Sequence, residues 1–340
     1  MPILDRHRRP LRSLRVSVTD RCNLRCEYCM PEDEYVWLPR QDILTFEETS
    51  ALVDRFLDLG VDQVRLTGGE PLLRRDLARL VAMLAARPRI RDLALTTNGV
   101  LLADQAPALK AAGLHRVTVS LDTLRRDQFI QLTRFDALDD VLNGIEAARR
   151  VGFASLKIDT VVMRGVNEQE IGDLLEFARG VGAEVRFIEY MDVGGATHWA
   201  PEAVVPRRAM LEAVASRFGP VEPVIERSTA PADRYRLSDG TVFGVISSTT
   251  GPFCDACDRS RLTADGIWLL CLYAADGVDL RTLLRRGAPA DEIRAHIART
   301  WEARTDRGAM DRLHSDRRAP FVPLASLKKN AHLEMHTRGG

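Results

Sequence analysis

The sequence predicts an α/β fold, a partial (β/α)6 TIM-like barrel. Six short strand-like runs alternate with five helical runs between residue 14 and about residue 190, which implies parallel strands with helices outside. The spacing of the runs, about 25 to 40 residues, is that of βα units. Polar residues and glycines collect just after the strand runs, where parallel barrels gather ligand groups.

The first strand run is LRVSVT. FEETSALVDRFLDLG follows at helical spacing and stops at Gly60. VDQVRLT precedes the helical RDLARLVAMLAAR, and DLALTTN precedes LADQAPALKAAG. RVTVSLD precedes LDDVLNGIEAARRVG, and SLKIDTVVM precedes EQEIGDLLEFARGVG. EVRFIEYM ends the series. Eight units close a full barrel, so six leave an open mouth on one side. Beyond residue 195 the alternation decays. AMLEAVASRFG and the polar ADEIRAHIARTWEAR read as helices, and RYRLSDGTVFGVIS as a hairpin turning at Asp239-Gly240. A boundary falls near residue 200, dividing the chain into 1–200 and 201–340. By itself, the terminal Gly339-Gly340 reads as a frayed end.

The 340 residues suffice for two domains, or for one large barrel with an extension, and 45% hydrophobic content is ordinary for a buried core. Lys+Arg and Asp+Glu both number 48, so the formal charge is zero; with 6% aromatics this disfavours a nucleic-acid binder. The N-terminus has neither the apolar run nor the cleavage site of a secretory signal. GIWLLCLYAA is too short to span a bilayer. The expectation is a soluble cytoplasmic protein with reduced thiols.

All six cysteines fall in two triplets, Cys22, Cys26, Cys29 and Cys254, Cys257, Cys271. Each triplet admits core thiols, zinc completed by histidine, or an iron–sulfur cluster. Zinc at the first triplet predicts a nearby histidine, yet only His7 is close in sequence and the next after the triplet is His115. A four-iron cluster held by three thiolates keeps one iron open for a ligand. The rim motifs are TGGEP (Thr67 to Pro71), TTNG (Thr96 to Gly99), SLD (Ser120 to Asp122) and EYMDVGG. Each is weak alone; together they describe a pocket. Arg15 and Arg65 lie inside strand runs and Lys157 near the start of a fifth. No partner for them is evident locally, and a triphosphate would supply one.

Cys-x3-Cys-x2-Cys with Tyr28 before the last cysteine resembles the radical S-adenosylmethionine superfamily, as does TGGEP after the next strand. The resemblance implies that Cys22, Cys26 and Cys29 hold a [4Fe-4S] cluster whose open iron binds S-adenosyl-L-methionine. Tyr28, Gly69, Ser120 and Met191 would line that site. The second triplet, Cys-x2-Cys-x13-Cys, narrows the resemblance, together with LRVSVTDRCNLRCEYCMPE, VRLTGGEPLLR, TTNG, KIDTVVMRGVN, FIEYMDVGG and the terminal Gly-Gly. Nearly end to end, the chain is similar to the GTP 3′,8-cyclase family, lyases of the first step of molybdenum cofactor biosynthesis.

That similarity implies a C-terminal iron–sulfur-binding extension, with a second [4Fe-4S] cluster on Cys254, Cys257 and Cys271. GTP would be bound by Arg15, Arg65, Thr96, Lys157, Arg259, Ser260 and Arg261; whether Thr96 or Thr97 faces it stays open. Catalytic roles are implied for Arg259, Arg261, Arg15, Gly339 and Gly340, the glycine tail reaching into the active site. A homodimer, an external electron donor and transfer of the product to cyclic pyranopterin monophosphate synthase are also implied. MPEDEYVWLPR and residues 304–332 fit the family least and are expected to touch none of these residues. Competing readings are a related radical enzyme with another substrate, a zinc scaffold and an electron-transfer protein. Brown colour under anaerobic purification separates iron–sulfur protein from zinc protein.

Overall fold

The computed structural model describes residues 2–226, 229–315 and 318–339. Strands β1 (Ser13–Ser17), β2 (Gln63–Thr67), β3 (Asp92–Thr97), β4 (Arg116–Ser120), β5 (Ser155–Val162) and β6 (Glu184–Glu189) pair in chain order, all parallel. Helices α1 (Phe46–Asp58), α2 (Leu77–Ala85) and α3 (Leu102–Ala111) pack outside, followed by α4 (Arg126–Thr133), α5 (Leu138–Val151) and α6 (Ile171–Gly180). The six strand runs and five helical runs of the sequence are all present. The addition is α4, whose short RDQFIQLT buries only Phe129, Leu132 and Thr133, too brief an apolar face for periodicity to register. Thr45 starts α1 through a capping box: its hydroxyl accepts from the Glu48 amide at 3.1 Å and Glu48 accepts from the Thr45 amide at 2.8 Å.

The C-terminal part extends this sheet rather than standing apart. After α7 (Arg207–Phe218) come β7 (Val221–Val224), β8 (Asp233–Leu237), β9 (Val242–Ile246), β10 (Arg259–Leu262), β11 (Ile267–Leu269) and β12 (Val278–Asp279). The β8–β9 hairpin turns through Asp239-Gly240 as expected. Strand β9 then lies parallel to β6, and β10 parallel to β1. The open six-stranded barrel thus gains a parallel strand on each edge, within one twelve-stranded sheet that does not close. After α8 (Leu280–Arg285), α9 (Ala290–Glu302) stacks Trp301 on Trp268 of β11, and Trp268 meets Phe56 of α1, so both parts share one core.

Strand alternation divides the barrel into two surfaces. Leu14, Val16, Val64, Leu66, Leu93, Leu95, Val117, Val119, Ile158 and Val185 are buried in the apolar layer. The opposite face carries Arg15, Arg65, Thr96, Thr118, Lys157, Asp159, Glu184 and Arg186. A barrel interior lined by charge is built to hold a polar ligand, since apolar side chains would otherwise fill it. No described helix is long and apolar enough to cross a membrane.

Candidate active site

The first triplet occupies the loop after β1. Cys26 turns the chain, its carbonyl accepting from the amides of Cys29 (2.9 Å) and Met30 (2.7 Å). The Arg25 and Glu27 amides donate to the carbonyls of Thr133 and Leu132, both at 2.9 Å, so the end of α4 supports this loop. Burial pushes the Cys22 thiol up to about 11. It pushes Cys26 and Cys29 up as well, reinforced in both by the charge of Cys22. The three form no disulfide. Buried thiolates this close repel one another until a cation joins them.

The loops after β2, β3 and β4 complete this rim. Gly69 is required by close approach: a Cβ there would collide with the Arg21 carbonyl. Glu70 is fully buried and accepts from the Thr97 hydroxyl (2.7 Å) and the amides of Asn98 (2.7 Å) and Leu72 (2.9 Å). Burial still raises its carboxyl to about 7. Thr97 is therefore spent on the loop, while Thr96 faces the lumen, where its hydroxyl accepts from Arg65 at 3.0 Å. The Asn98 amide nitrogen lies 3.9 Å from the Cys22 sulfur. Tyr28 donates to Asp122 at 2.8 Å, and burial lifts that carboxyl to about 6. Ser120 ends β4 in register with Asp159, and the half-buried Met191 follows β6.

Pairing of β10 with β1 sets Arg259 beside Ser13 and Arg261 beside Arg15, all on the lumen face with Arg65. Burial, then the charges of Arg261 and Arg259, push Arg15 well below its ordinary value. Arg65 falls to about 9 through burial and the charges of Arg15 and Arg186; Arg261 falls to about 10 through burial and Arg259. Three expectations need correction. Lys157 has a protein partner, Glu184 at 2.7 Å, because β5 and β6 place them side by side. Arg65 also has partners, which among the described residues are the neutral hydroxyls of Thr96 and Thr118 (3.0 and 3.1 Å). Ser260 takes the register of Leu14, on the face opposite Arg259 and Arg261, so its side chain does not enter the lumen.

At the second triplet, burial raises Cys257, but Arg259 and Arg304 outweigh it and bring the thiol to about 7. Arg304 approaches the Cys257 sulfur at 3.9 Å and donates to its carbonyl at 3.2 Å. The Tyr273 amide lies 3.5 Å from the Cys271 sulfur, whose thiol burial lifts to about 11. Tyr273 in turn donates to Asp192, which also accepts from Arg312 (2.8 Å) and Arg318 (3.1 Å).

The final residues cross between the triplets. The Cβ position of Gly195 faces the Cys29 carbonyl and, at 2.9 Å, Glu334; that of Gly194 faces the Met335 amide at 2.7 Å, so EYMDVGG ends in glycines where backbones meet. Arg338 donates to the Leu272 carbonyl beside Cys271 at 2.6 Å. Arg261 donates to the Gly339 carbonyl at 2.6 Å, and a Cβ on Gly339 would collide with the Thr67 hydroxyl. Gly339 adopts φ +68°, and Gly340 lies outside the described residues.

The donor chemistry suits iron–sulfur ligation: each site offers three free thiols, and His7 is bonded to the Thr305 carbonyl at 3.1 Å. Among the described residues no three His, Cys, Asp or Glu side chains converge on one point, as a single metal ion demands. A cluster presents a different iron to each cysteine and makes no such demand. Thr67 Oγ1, Arg259 Nη2, Glu334 Oε2, Thr337 Oγ1 and Arg338 Nη2 are buried without a hydrogen-bond partner, a density of orphaned polar atoms that marks a ligand site.

An open parallel barrel with this cysteine loop and rim defines a radical S-adenosylmethionine protein. The Radical SAM superfamily model matches residues 16–178, and the Molybdenum Cofactor Synthesis C model residues 183–310. Streptococcus suis SuiB, solved with S-adenosylmethionine, shares the fold at TM-score 0.59 and 16% identity, over 85% of this chain and 69% of its own. GTP 3′,8-cyclase 1 of Mycobacterium tuberculosis is 57% identical over 342 residues, 99% of this chain and 95% of that relative. GTP 3′,8-cyclase of Acidothermus cellulolyticus is 49% identical over 317 residues, 90% and 87% of the two chains. The chain belongs to the GTP 3′,8-cyclase family.

The two segments expected to stay clear of the site in fact reach it. Met30 of MPEDEYVWLPR donates to the Cys26 carbonyl, and Arg304 of the 304–332 segment donates to the Cys257 carbonyl; Tyr35 and Trp37 pack on His336. Reading the sequence also passed over Arg186, bidentate to Asp159 at 2.7 and 2.9 Å in the lumen. Its place on the charged face of EVRFIEYM, two residues from Glu184, was the available signal.

Proposed function

We infer that this chain is a radical S-adenosylmethionine lyase that converts GTP to (8S)-3′,8-cyclo-7,8-dihydroguanosine 5′-triphosphate, the first step of molybdenum cofactor biosynthesis. The observation that carries this reading is the group of guanidiniums on the lumen face of β1, β2 and β10. Burial and neighbouring guanidinium charge penalise Arg15, Arg65 and Arg261, a cost that a bound polyanion reverses.

Cys22, Cys26 and Cys29 hold the [4Fe-4S] cluster. With S-adenosylmethionine bound there, this cofactor pair supplies one-electron chemistry able to take hydrogen from C3′ of the ribose. Gly69, Ser120 and Met191 give S-adenosylmethionine its rim, with Tyr28 fixed by Asp122. Arg15, Arg65, Arg259 and Arg261 receive the triphosphate, Thr96 and Thr118 orienting Arg65 and Glu184 orienting Lys157. Cyclisation joins C3′ to C8 and needs one further electron and proton. Arg259 and Arg261, on the lumen face beside Ser13 and Arg15, would stabilise charge from that step, and the tail at Gly339, bound by Arg261, would exclude water. Cys254, Cys257 and Cys271 would hold a second [4Fe-4S] cluster. Residues 1–200 form the radical S-adenosylmethionine barrel with the first cluster, and 201–340 the C-terminal part with the second cluster and the Gly-Gly tail. The enzyme works in the cytoplasm as a homodimer, takes electrons from an external donor, and hands its product to cyclic pyranopterin monophosphate synthase.

The test is anaerobic reconstitution with iron and sulfide, followed by S-adenosylmethionine, GTP and a strong reductant. The expected products are 5′-deoxyadenosine and cyclised guanosine triphosphate, both dependent on GTP. 5′-Deoxyadenosine without a cyclised nucleotide leaves the superfamily and removes the substrate. Neither product, with both clusters loaded, removes the catalytic reading.

A further inference from the structure

We propose that His336 is a positioning residue, clasped between Tyr35 and Trp37 so that Gly339 is held in the barrel mouth. His336 is 2% exposed, and both ring nitrogens are without a hydrogen-bond partner. A buried imidazole normally bonds through at least one nitrogen. Here its contacts are aromatic. The Tyr35 ring meets it at 5.2 Å between centroids and 90°, the Trp37 ring at 5.4 Å and 60°. Edge-to-face packing of this kind stabilises aromatic pairs beyond their buried area. The imidazole therefore serves as a flat ring of defined size, and its nitrogens are incidental.

The clasp connects two elements of the site. Tyr35 and Trp37 stand in the loop that leaves Cys29, and Arg21 covers Trp37 at 4.5 Å. Arg25, which faces both rings, also donates to the Cys22 carbonyl at 3.0 Å. On the tail, His336 lies three residues before Gly339, whose carbonyl receives Arg261. The turn before it is tied separately, His332 to Asp265 at 2.8 Å. With the turn fixed at His332 and the ring fixed at His336, the chain has little freedom left before Gly339.

This inference rests on the reading of the tail as part of the active site. The test compares His336→Ala, His336→Phe and Trp37→Leu, first by hydrogen exchange of residues 331–339 in the metal-free chain, then by cyclisation in the reconstituted enzyme. His336→Ala and Trp37→Leu are expected to speed exchange of the tail amides at least about tenfold and to lose cyclisation with iron content unchanged. His336→Phe is expected to match the natural chain in both. If His336→Phe behaves as His336→Ala does, the nitrogens matter and the proposal is overturned. Unchanged exchange in His336→Ala overturns it too. Faster exchange with full cyclisation leaves the clasp standing and refutes the tail's part in the reaction.

Discussion

The Tyr273 hydroxyl donates to the Asp192 carboxylate at 2.9 Å, tying the end of β6 to the loop that carries Cys271. Asp192 is fully buried and next to Met191, and it also gathers Arg312 and Arg318 from the segment that follows the second triplet. One side chain thus joins the loop after β6 to the second triplet. Burial raises the Asp192 carboxyl, but its hydrogen bonds to Arg318 and Arg312 outweigh this and hold it below its ordinary 3.8. Its contribution to stability is present above that value and lost as pH falls below it. Asp192→Ala leaves two guanidiniums uncompensated and is expected to destabilise the chain by about 3 kcal/mol at pH 7. The urea midpoints of the metal-free variant and natural chain should converge as pH drops below about 4. A gap that stays constant with pH would contradict this.

Arg65 carries a penalised charge, and its hydrogen-bond partners among the described residues are the hydroxyls of Thr96 and Thr118. Arg65→Met is expected to weaken GTP binding by about 10- to 100-fold, the loss of a charge-assisted contact. The melting temperature of the GTP-free variant should not fall, because the repulsion from Arg15 and Arg186 goes with the guanidinium. Calorimetric titration and thermal unfolding check the two halves separately.

Gly339 faces the Thr67 hydroxyl at positive φ. Gly339→Ala should abolish cyclisation with iron and sulfide content unchanged, as should removal of Gly339 and Gly340. Adding Thr67→Ala to Gly339→Ala removes the colliding atom and should recover part of the activity, leaving a deficit of about 1 kcal/mol from the backbone conformation. Product yield from the single and double variants decides it.

Arg304 places a guanidinium against the Cys257 sulfur. Charge and hydrogen bonds at ligand sulfurs favour the reduced cluster, so Arg304→Gln should make the second cluster harder to reduce. Redox-monitored spectroscopy should show a shift to more negative potential at that cluster and none at the first.

Most of the barrel was legible because its signals are local. Period-two alternation in LRVSVT, VDQVRLT and SLKIDTVVM already put Arg15, Arg65 and Lys157 on the face away from the leucines and valines. The same alternation placed Thr96 inward and Thr97 outward, yet the sequence reading left that choice open; the bond from Thr97 to Glu70 closes it. Helix α4 was missed because its apolar face spans barely one turn, although it carries the cysteine loop.

The sequence alone determined the two cysteine triplets, the order of the six strands and the charged lumen, since each depends on residues close together in the chain. Tertiary structure decided what no local pattern carries. Sheet extension brought β10 beside β1, and with it Arg259 and Arg261 beside Arg15. Pairing of β5 with β6 gave Lys157 its carboxylate, and the tail found its place between Tyr35, Trp37 and Thr67. These partners meet because burying shared sheet edges and aromatic rings is favourable, and that free energy depends on the folded surface, not on distance along the chain.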